Sequence, residues 1–269
     1  MHSLAEKKCF IFDLDGTVYL TEEVFPAART FLHHLREHGK RVVFFTNNAS
    51  HSRAFYMERL TRMGFAPREE EVVYTGMVLI DHLLRQKPNA RVYLCASEGL
   101  REDFQAAGIR DTACVPADVV VIGMGFDITY QMLNTATKQV LCGAELYAPN
   151  CDTLCPTSEL PDLDSASLVA AIETATGKKA TYFGKPERVA ADYIARFTGI
   201  PLSDSVMVGD RLNTDIAFGN RAGITTLHVL TGGDDAALAA AACGEEHPLY
   251  EFADLAEVDN LLFGTAQTV

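Results

Sequence analysis

The apolar residues of this chain come in short unbroken runs, and several of these runs end at polar or charged residues. Cys9-Phe10-Ile11-Phe12 leads into Asp13-Leu14-Asp15-Gly16-Thr17, Val42-Val43-Phe44-Phe45 into Thr46-Asn47-Asn48, and Val206-Met207-Val208 into Gly209-Asp210. Runs this short and uniformly apolar suit strands buried on both faces, as in a parallel sheet. Between them the period changes. In Pro26 to Gly39, Phe31, Leu32 and Leu35 recur at helical spacing, with Pro26 suited to a first turn and Gly39 to a stop. Ser50 to Gly64 reads as a helix and Val72 to Thr75 as a third strand. Strand and helix alternate, which predicts an α/β chain with right-handed crossovers.

Near Gly76 the pattern restarts. Helices are expected over Met77 to Arg85, Glu98 to Ala107 and Gln131 to Leu141, and strands over Arg91 to Cys95, Val119 to Gly123 and Glu145 to Ala148. The loop Pro149-Asn150-Cys151-Asp152 precedes a helix over Leu168 to Thr176, with Asp164, Ser165 and Ser167 as candidate caps. A third section opens at Tyr182-Phe183-Gly184-Lys185-Pro186, where Pro186 is expected to start a helix. After the strand ending at Asp210 come a helical stretch from Asp215 to Ala222, a strand over Thr225 to Leu230 and an alanine-rich helix over Ala236 to Ala242. Asp13 to Thr46 is one strand-helix-strand step, whereas Thr46 to Lys185 is several times longer. Residues 77–180 are therefore expected to form a domain inserted into a core of residues 1–76 and 181–269, with the junctions as a natural hinge.

Composition narrows the partners. The chain has 269 residues, 48% hydrophobic and 22% charged, and a net charge of −13. An acidic chain without a Lys/Arg cluster is not built for nucleic acid. An anionic substrate must then be captured by local groups and a metal. No stretch reads as a signal peptide and no apolar run approaches a membrane span. The seven cysteines are scattered and odd in number, which argues against a disulfide framework. Reduced thiols and a cytoplasmic location are the expectation, with neither membrane nor nucleic acid as partner.

The strand tips carry the chemistry. Asp13 and Asp15 bracket one residue, so an ideal strand points both the same way. Two such carboxylates repel unless a proton or cation lies between them, and Mg²⁺ is the natural oxygen-seeking ion. Gly16 permits the sharp turn that follows. Thr46, Asn47, Lys185, Asp210 and Asp215 stand at further strand ends, and open α/β sheets bind ligands at that edge. A lysine, a hydroxyl and free amides suit a phosphate. Clustered carboxylates suit a divalent cation, and a carboxylate clear of the metal can shuttle a proton. Taken singly, each residue has a plainer reading: a turn at Asp15-Gly16, helix caps at Thr46, Asn47 and Asp215, a loop lysine at Lys185. Taken together, they point to phosphoryl transfer through a carboxylate nucleophile.

Asp13-Leu14-Asp15-Gly16-Thr17, Phe45-Thr46-Asn47-Asn48, Gly184-Lys185-Pro186 and Gly209-Asp210-Arg211 with Asp215 resemble, in order and spacing, the four motifs of the haloacid dehalogenase superfamily. The insertion resembles its C2-type cap, and the chain is similar to the NagD and p-nitrophenylphosphatase branch. The resemblance implies a Rossmann-like parallel-sheet core with an inserted α/β cap domain, and a Mg²⁺-dependent phosphatase of small phosphomonoesters: sugar phosphates, nucleoside monophosphates or glycerol phosphates. It implies Asp13 as nucleophile and Asp15 as acid and base. Mg²⁺ would be held by Asp13, by the Asp15 backbone carbonyl and by Asp210. Thr46 and the Asn47 backbone would bind the phosphoryl oxygens and Lys185 would neutralise charge. Asp215 would orient Lys185 or a water, with Gly16 and Asn48 as supporting residues. An aspartate at position 15 fits a phosphatase rather than a dehalogenase. In such relatives the cap selects the leaving group, which makes Asn150, Asp152 and Asp164 specificity candidates. Two departures stand out. Cys151 replaces the proline of the family's Asn-Pro-Asp, and Pro161 to Ser167 replaces a glycine-richer loop with an acidic one, which would favour neutral or cationic leaving groups. The alternatives are a phosphotransferase or mutase with the same intermediate, and a non-catalytic phosphate-binding regulatory module. A homodimer is a further expectation, because such caps form dimer contacts in relatives.

Overall fold

The structure is a computed structural model and describes residues 4–112, 116–157 and 159–264. The first apolar run forms strand β1 (Cys9–Phe12), buried at every position. The chain then turns at Gly16, whose φ of +88° suits glycine, into a hairpin of β2 (Tyr19–Leu20) and β3 (Glu23–Val24). Helix α1 (Pro26–Glu37) opens on its proline and buries Ala28, Phe31, Leu32 and Leu35. Strand β4 (Arg41–Thr46), helix α2 (Arg53–Arg62), strand β5 (Val72–Tyr74) and helix α3 (Thr75–Gln86) follow.

Next come β6 (Val92–Cys95), α4 (Glu98–Ala106), β7 (Val119–Ile122), α5 (Tyr130–Leu141), β8 (Glu145–Ala148), the short strands β9 (Leu154–Cys155) and β10 (Asp162–Leu163), α6 (Ser165–Thr176) and β11 (Thr181–Tyr182). Of the candidate caps for α6, Asp164 serves: its carboxylate accepts from the Ser165 amide. Helix α7 (Arg188–Thr198) starts two residues past the expected Pro186, with Glu187 as the extended residue that precedes it. After β12 (Ser205–Gly209) the chain makes a π-type turn over Leu212–Ile216 and only then enters α8 (Ala217–Ala222). The single helix expected from Asp215 is thus two segments. The chain closes with β13 (Thr225–Val229), α9 (Ala236–Ala241), β14 (Tyr250–Phe252) and α10 (Leu255–Phe263), the last capped by Asp254.

Two compact units result. The first comprises Met1–Thr46, Met57–Val73 and Lys185–Val269. Its sheet has the order β14-β13-β12-β1-β4-β5. The pairs β1–β12, β1–β4, β12–β13 and β13–β14 all run parallel. From central β1 the chain first winds to one side and later to the other, so β1 and β12 flank a topological switch point. Phe31 of α1 packs edge-on against Phe10 and Phe12 of β1, ring centroids 6.1 and 5.9 Å apart, and seals one face of the sheet.

The second unit comprises Asn47–Tyr56 and Tyr74–Gly184, so it takes in more chain than the 77–180 expected. Its sheet has the order β11-β8-β7-β6, all parallel. Val120 and Ile122 of β7, Val140 of α5 and Val169 and Ile172 of α6 centre its core. Among the described residues Cys9, Cys95, Cys142, Cys151, Cys155 and Cys243 are not in disulfides, and no helix is long and apolar enough to cross a membrane.

Candidate active site

The carboxyl ends of β1, β4 and β12 meet inside the first unit, and the polar residues at their tips meet with them. Asp13 follows β1, and its amide donates to the carbonyl of Val208 on β12 at 2.9 Å, which prolongs the ladder to the residue that carries the carboxylate. Lys185 is 1% exposed and reaches three acceptors: Asp13 Oδ1 at 2.5 Å, Asp215 Oδ1 at 2.7 Å and the Phe45 carbonyl at the end of β4 at 3.0 Å. Asp13 itself keeps 14% of its side chain open, so a small ligand can reach it.

Asp210, the first residue beyond β12, is held on every side. Its Oδ1 accepts from Thr17 Oγ1 at 3.2 Å and its Oδ2 from the Gly233 amide at 2.6 Å. A side chain at Gly16 or Gly232 would overlap the Asp210 carboxylate, so both must be glycine for the loops to close around it. Thr231 Oγ1 donates to the Gly16 carbonyl at 2.6 Å and ties the same loops together. The π-type turn brings Asp215 back beneath the strand tip, where its Oδ2 accepts from the Arg211 amide at 3.2 Å.

Carboxylate oxygens of Asp13, Asp210 and Asp215 all lie within 4.8 Å of one another. Three carboxylates against one ammonium leave this buried cluster negative, and its protons show it. Burial pushes the Asp210 carboxyl up to about 8, with Asp13 and Asp215 adding to the rise. Burial likewise raises Asp215 to about 6 against the pull of Lys185. For Lys185, burial works against the ammonium, but Asp13 and Asp215 outweigh it and hold its pKa above the ordinary lysine value. A cluster that takes up protons near neutral pH has the charge and the hard oxygen donors for a divalent cation. A divalent cation therefore fits the residues present.

Asp15 stands apart from that cluster. Burial pushes its carboxyl up to about 6, opposed by Arg59 and a hydrogen bond from Tyr19, and reinforced by Asp13. The Arg59 guanidinium lies 4.7 Å from the centroid of the Tyr19 ring. Such a carboxyl can hold or release a proton near neutral pH. Thr46 is buried at the end of β4.

The remaining predicted residues fall in the second unit and converge on Asn47. Its side-chain amide donates to Asp152 Oδ2 at 2.9 Å, and its carbonyl accepts from Asn150 Nδ2 and Thr75 Oγ1, each at 2.8 Å. Asn150 also reaches Asp164 Oδ1 at 3.4 Å. Asp164 is buried and caps α6, so its carboxylate is not one of the surface charges expected of an acidic loop. The Asn48 side chain donates to Cys155 Sγ at 3.3 Å, and its Oδ1 accepts from the Ser50 amide at 2.9 Å.

Sequence reasoning quotes Thr17 within its first motif without giving it a role, and misses Thr231 and Gly233. The one signal for them is Thr231-Gly232-Gly233 immediately after a strand, since paired glycines mark close backbone approach.

Comparison with known proteins finds relatives over most of the chain. The chain matches the family of haloacid dehalogenase-like hydrolases over residues 10–110 and an HAD-hydrolase-like family over residues 182–258. It is 32% identical over 225 residues to the 5'-nucleotidase YutF of Bacillus subtilis, a match that spans 84% of this chain and 88% of that one. A 4-nitrophenylphosphatase of Thermotoga maritima superposes with a TM-score of 0.92 at 35% identity over 97% of this chain and 100% of the other. A glycerol phosphate phosphatase of Mycobacterium tuberculosis, solved with magnesium, superposes with a TM-score of 0.88 at 33% identity over 96% of this chain and 78% of the other.

Proposed function

Since the chain belongs to the haloacid dehalogenase-like hydrolases, in their NagD and p-nitrophenylphosphatase branch, and is a phosphatase, we propose that it hydrolyses small phosphomonoesters with Mg²⁺ through a phosphorylated Asp13. The observation that carries this reading is the convergence of Asp13, Lys185, Asp210 and Asp215 at three strand tips. Asp13 and Asp210, together with the Asp15 carbonyl, would hold Mg²⁺. When bound, the ion offsets charge on the phosphoryl oxygens and on the carboxylates around it.

The chain's own residues would do the rest. An oxygen of Asp13 attacks phosphorus while the ester P–O bond breaks, and Asp15 gives its proton to the leaving oxygen. Asp15, now ionised, takes a proton from a water whose oxygen attacks the same phosphorus. The bond between Asp13 and phosphorus breaks, and inorganic phosphate leaves. Lys185, fixed between Asp13 and Asp215, holds positive charge beside the attacking oxygen throughout. Thr46 and the Asn47 backbone would bind phosphoryl oxygens. Named activities of the relatives span nucleotides, nitrophenyl phosphate and glycerol phosphate, which supports a small-metabolite monoester as substrate. The cytoplasm is the location this reading assigns.

Phosphate release from p-nitrophenyl phosphate and a panel of metabolite monoesters, with and without Mg²⁺, tests it. Turnover should require Mg²⁺, and Asp13→Asn should abolish it with the far-UV and near-UV circular dichroism of the wild type retained. Full activity in Asp13→Asn would overturn the assignment of the nucleophile.

A further inference from the structure

We infer that His228 is a positioning residue for Asp210, and that through this contact it sets the affinity of the strand-tip cluster for Mg²⁺. The inference rests on the proposed role of Asp210 as a metal ligand.

His228 lies on β13 with none of its surface exposed. Strand pairing between β12 and β13 ends at Gly209 opposite His228. Asp210 is the next residue, so the ladder no longer holds its backbone. The imidazole takes over at that point: His228 Nε2 lies 3.1 Å from the Asp210 carbonyl oxygen. A carbonyl only accepts, so Nε2 carries the hydrogen. The same carbonyl also accepts from the Asp234 amide at 3.2 Å. On the other side of the ring, Nδ1 faces Glu251 Oε2 at 3.5 Å, across the next strand pair.

Asp210 is therefore fixed at its carbonyl by His228 and Asp234, and at its carboxylate by Thr17 and Gly233. A buried imidazole needs a reason: in a strand of this kind an aliphatic side chain fills the space without taking a polar ring out of water. The Asp210 carbonyl supplies that reason. Loss of the Nε2–H bond leaves a single amide on the carbonyl and lets the residue swing about the end of β12, away from the oxygens of Asp13. Groups that orient a metal ligand from behind typically change metal affinity 10–100-fold when removed.

The test uses the full-length enzyme as wild type, His228→Leu, His228→Asn and His228→Gln. Mg²⁺ binding to the metal-free proteins is measured by titration calorimetry, beside melting temperatures and the KM for p-nitrophenyl phosphate at saturating Mg²⁺. His228→Leu should weaken Mg²⁺ binding by at least about tenfold while KM moves less than about twofold. Gln can bring its amide to about the position of Nε2, whereas Asn falls a methylene short. His228→Gln should therefore stay within about threefold of wild type and His228→Asn should follow His228→Leu. If His228→Leu does not fold, the Gln and Asn variants carry the comparison. Wild-type affinity in His228→Leu, or equal weakening in Gln and Asn, overturns the inference alone. A wild-type enzyme that turns over without binding Mg²⁺ takes the metal reading and this inference down together.

Discussion

If the strand-tip carboxylates hold Mg²⁺ as proposed, proton and metal compete for them, which gives the site a pH dependence of calculable size. The highest proton of the cluster, on Asp210, leaves at about 8 because burial and the carboxylates of Asp13 and Asp215 oppose ionisation. Mg²⁺ needs the ionised form, so its apparent affinity should fall about tenfold for each pH unit below that value. Between pH 8 and pH 6 the loss is roughly 50-fold, or about 2.3 kcal/mol. Stability of the metal-free protein runs the other way. A carboxyl raised in the folded state keeps a proton that the unfolded chain has already released from about pH 4 upward. The metal-free protein should therefore lose stability as pH rises from 4 towards 8, and saturating Mg²⁺ should abolish most of that slope. Titration calorimetry in two buffers of different ionisation enthalpy, at pH 6, 7 and 8, reads both the affinity and the proton released. Thermal melts with and without Mg²⁺ over the same range read the linkage. A Mg²⁺ affinity that does not change between pH 6 and 8, with no proton released at pH 7, would refute the picture of one buried, proton-loaded cluster.

Two further outcomes follow from the roles of Asp15 and Lys185. Under the proposed mechanism Asp15→Asn removes the group that protonates the leaving oxygen and later activates water, an effect of about 10²–10⁴ in rate. The first step should suffer less with p-nitrophenyl phosphate, whose leaving group needs little protonation, than with glycerol phosphate, so rapid mixing should show a stoichiometric burst of p-nitrophenol. Equal loss on both substrates without a burst contradicts the assignment. Lys185→Met leaves Asp13 and Asp215 without their cation in a buried site. It should cost about 3 kcal/mol in denaturant unfolding at pH 8 and at least about 10² in kcat, and unchanged unfolding would show that the pair is not held as described.

Most of the core strands are legible because their signal is local. An apolar run such as Phe10-Ile11-Phe12 or Val206-Met207-Val208 is long enough to exclude a solvated loop. The short hairpins are not legible for the converse reason: β2, β3, β9 and β10 have two residues each and no room for a period to show. β14 escapes because Tyr250-Glu251-Phe252 is half exposed and reads as neither alternation nor run. The break between Asp215 and Ala217 escapes because the sequence is helix-compatible throughout. A tertiary demand decides there, namely that Asp215 must reach both Lys185 and the Arg211 amide, and a π-type turn meets it.

The site divides along the same physical line. The roles proposed for Asp13, Asp15, Lys185, Asp210 and Asp215 use their side chains, and a charged group at the end of a buried strand is conspicuous in sequence. What holds them acts largely through the main chain: the Phe45 carbonyl on Lys185, the Gly233 amide on Asp210, the Asp210 carbonyl under His228. Any residue has those atoms, so their use leaves no mark on composition or spacing. The glycines are the exception, since a side chain at Gly16 or Gly232 would strike the Asp210 carboxylate. Asn47 shows the limit most clearly. Its type and place suit a helix cap or a phosphate contact equally well. Two of its partners, Asn150 and Asp152, lie more than a hundred residues further along the chain and meet it only once the second unit has folded.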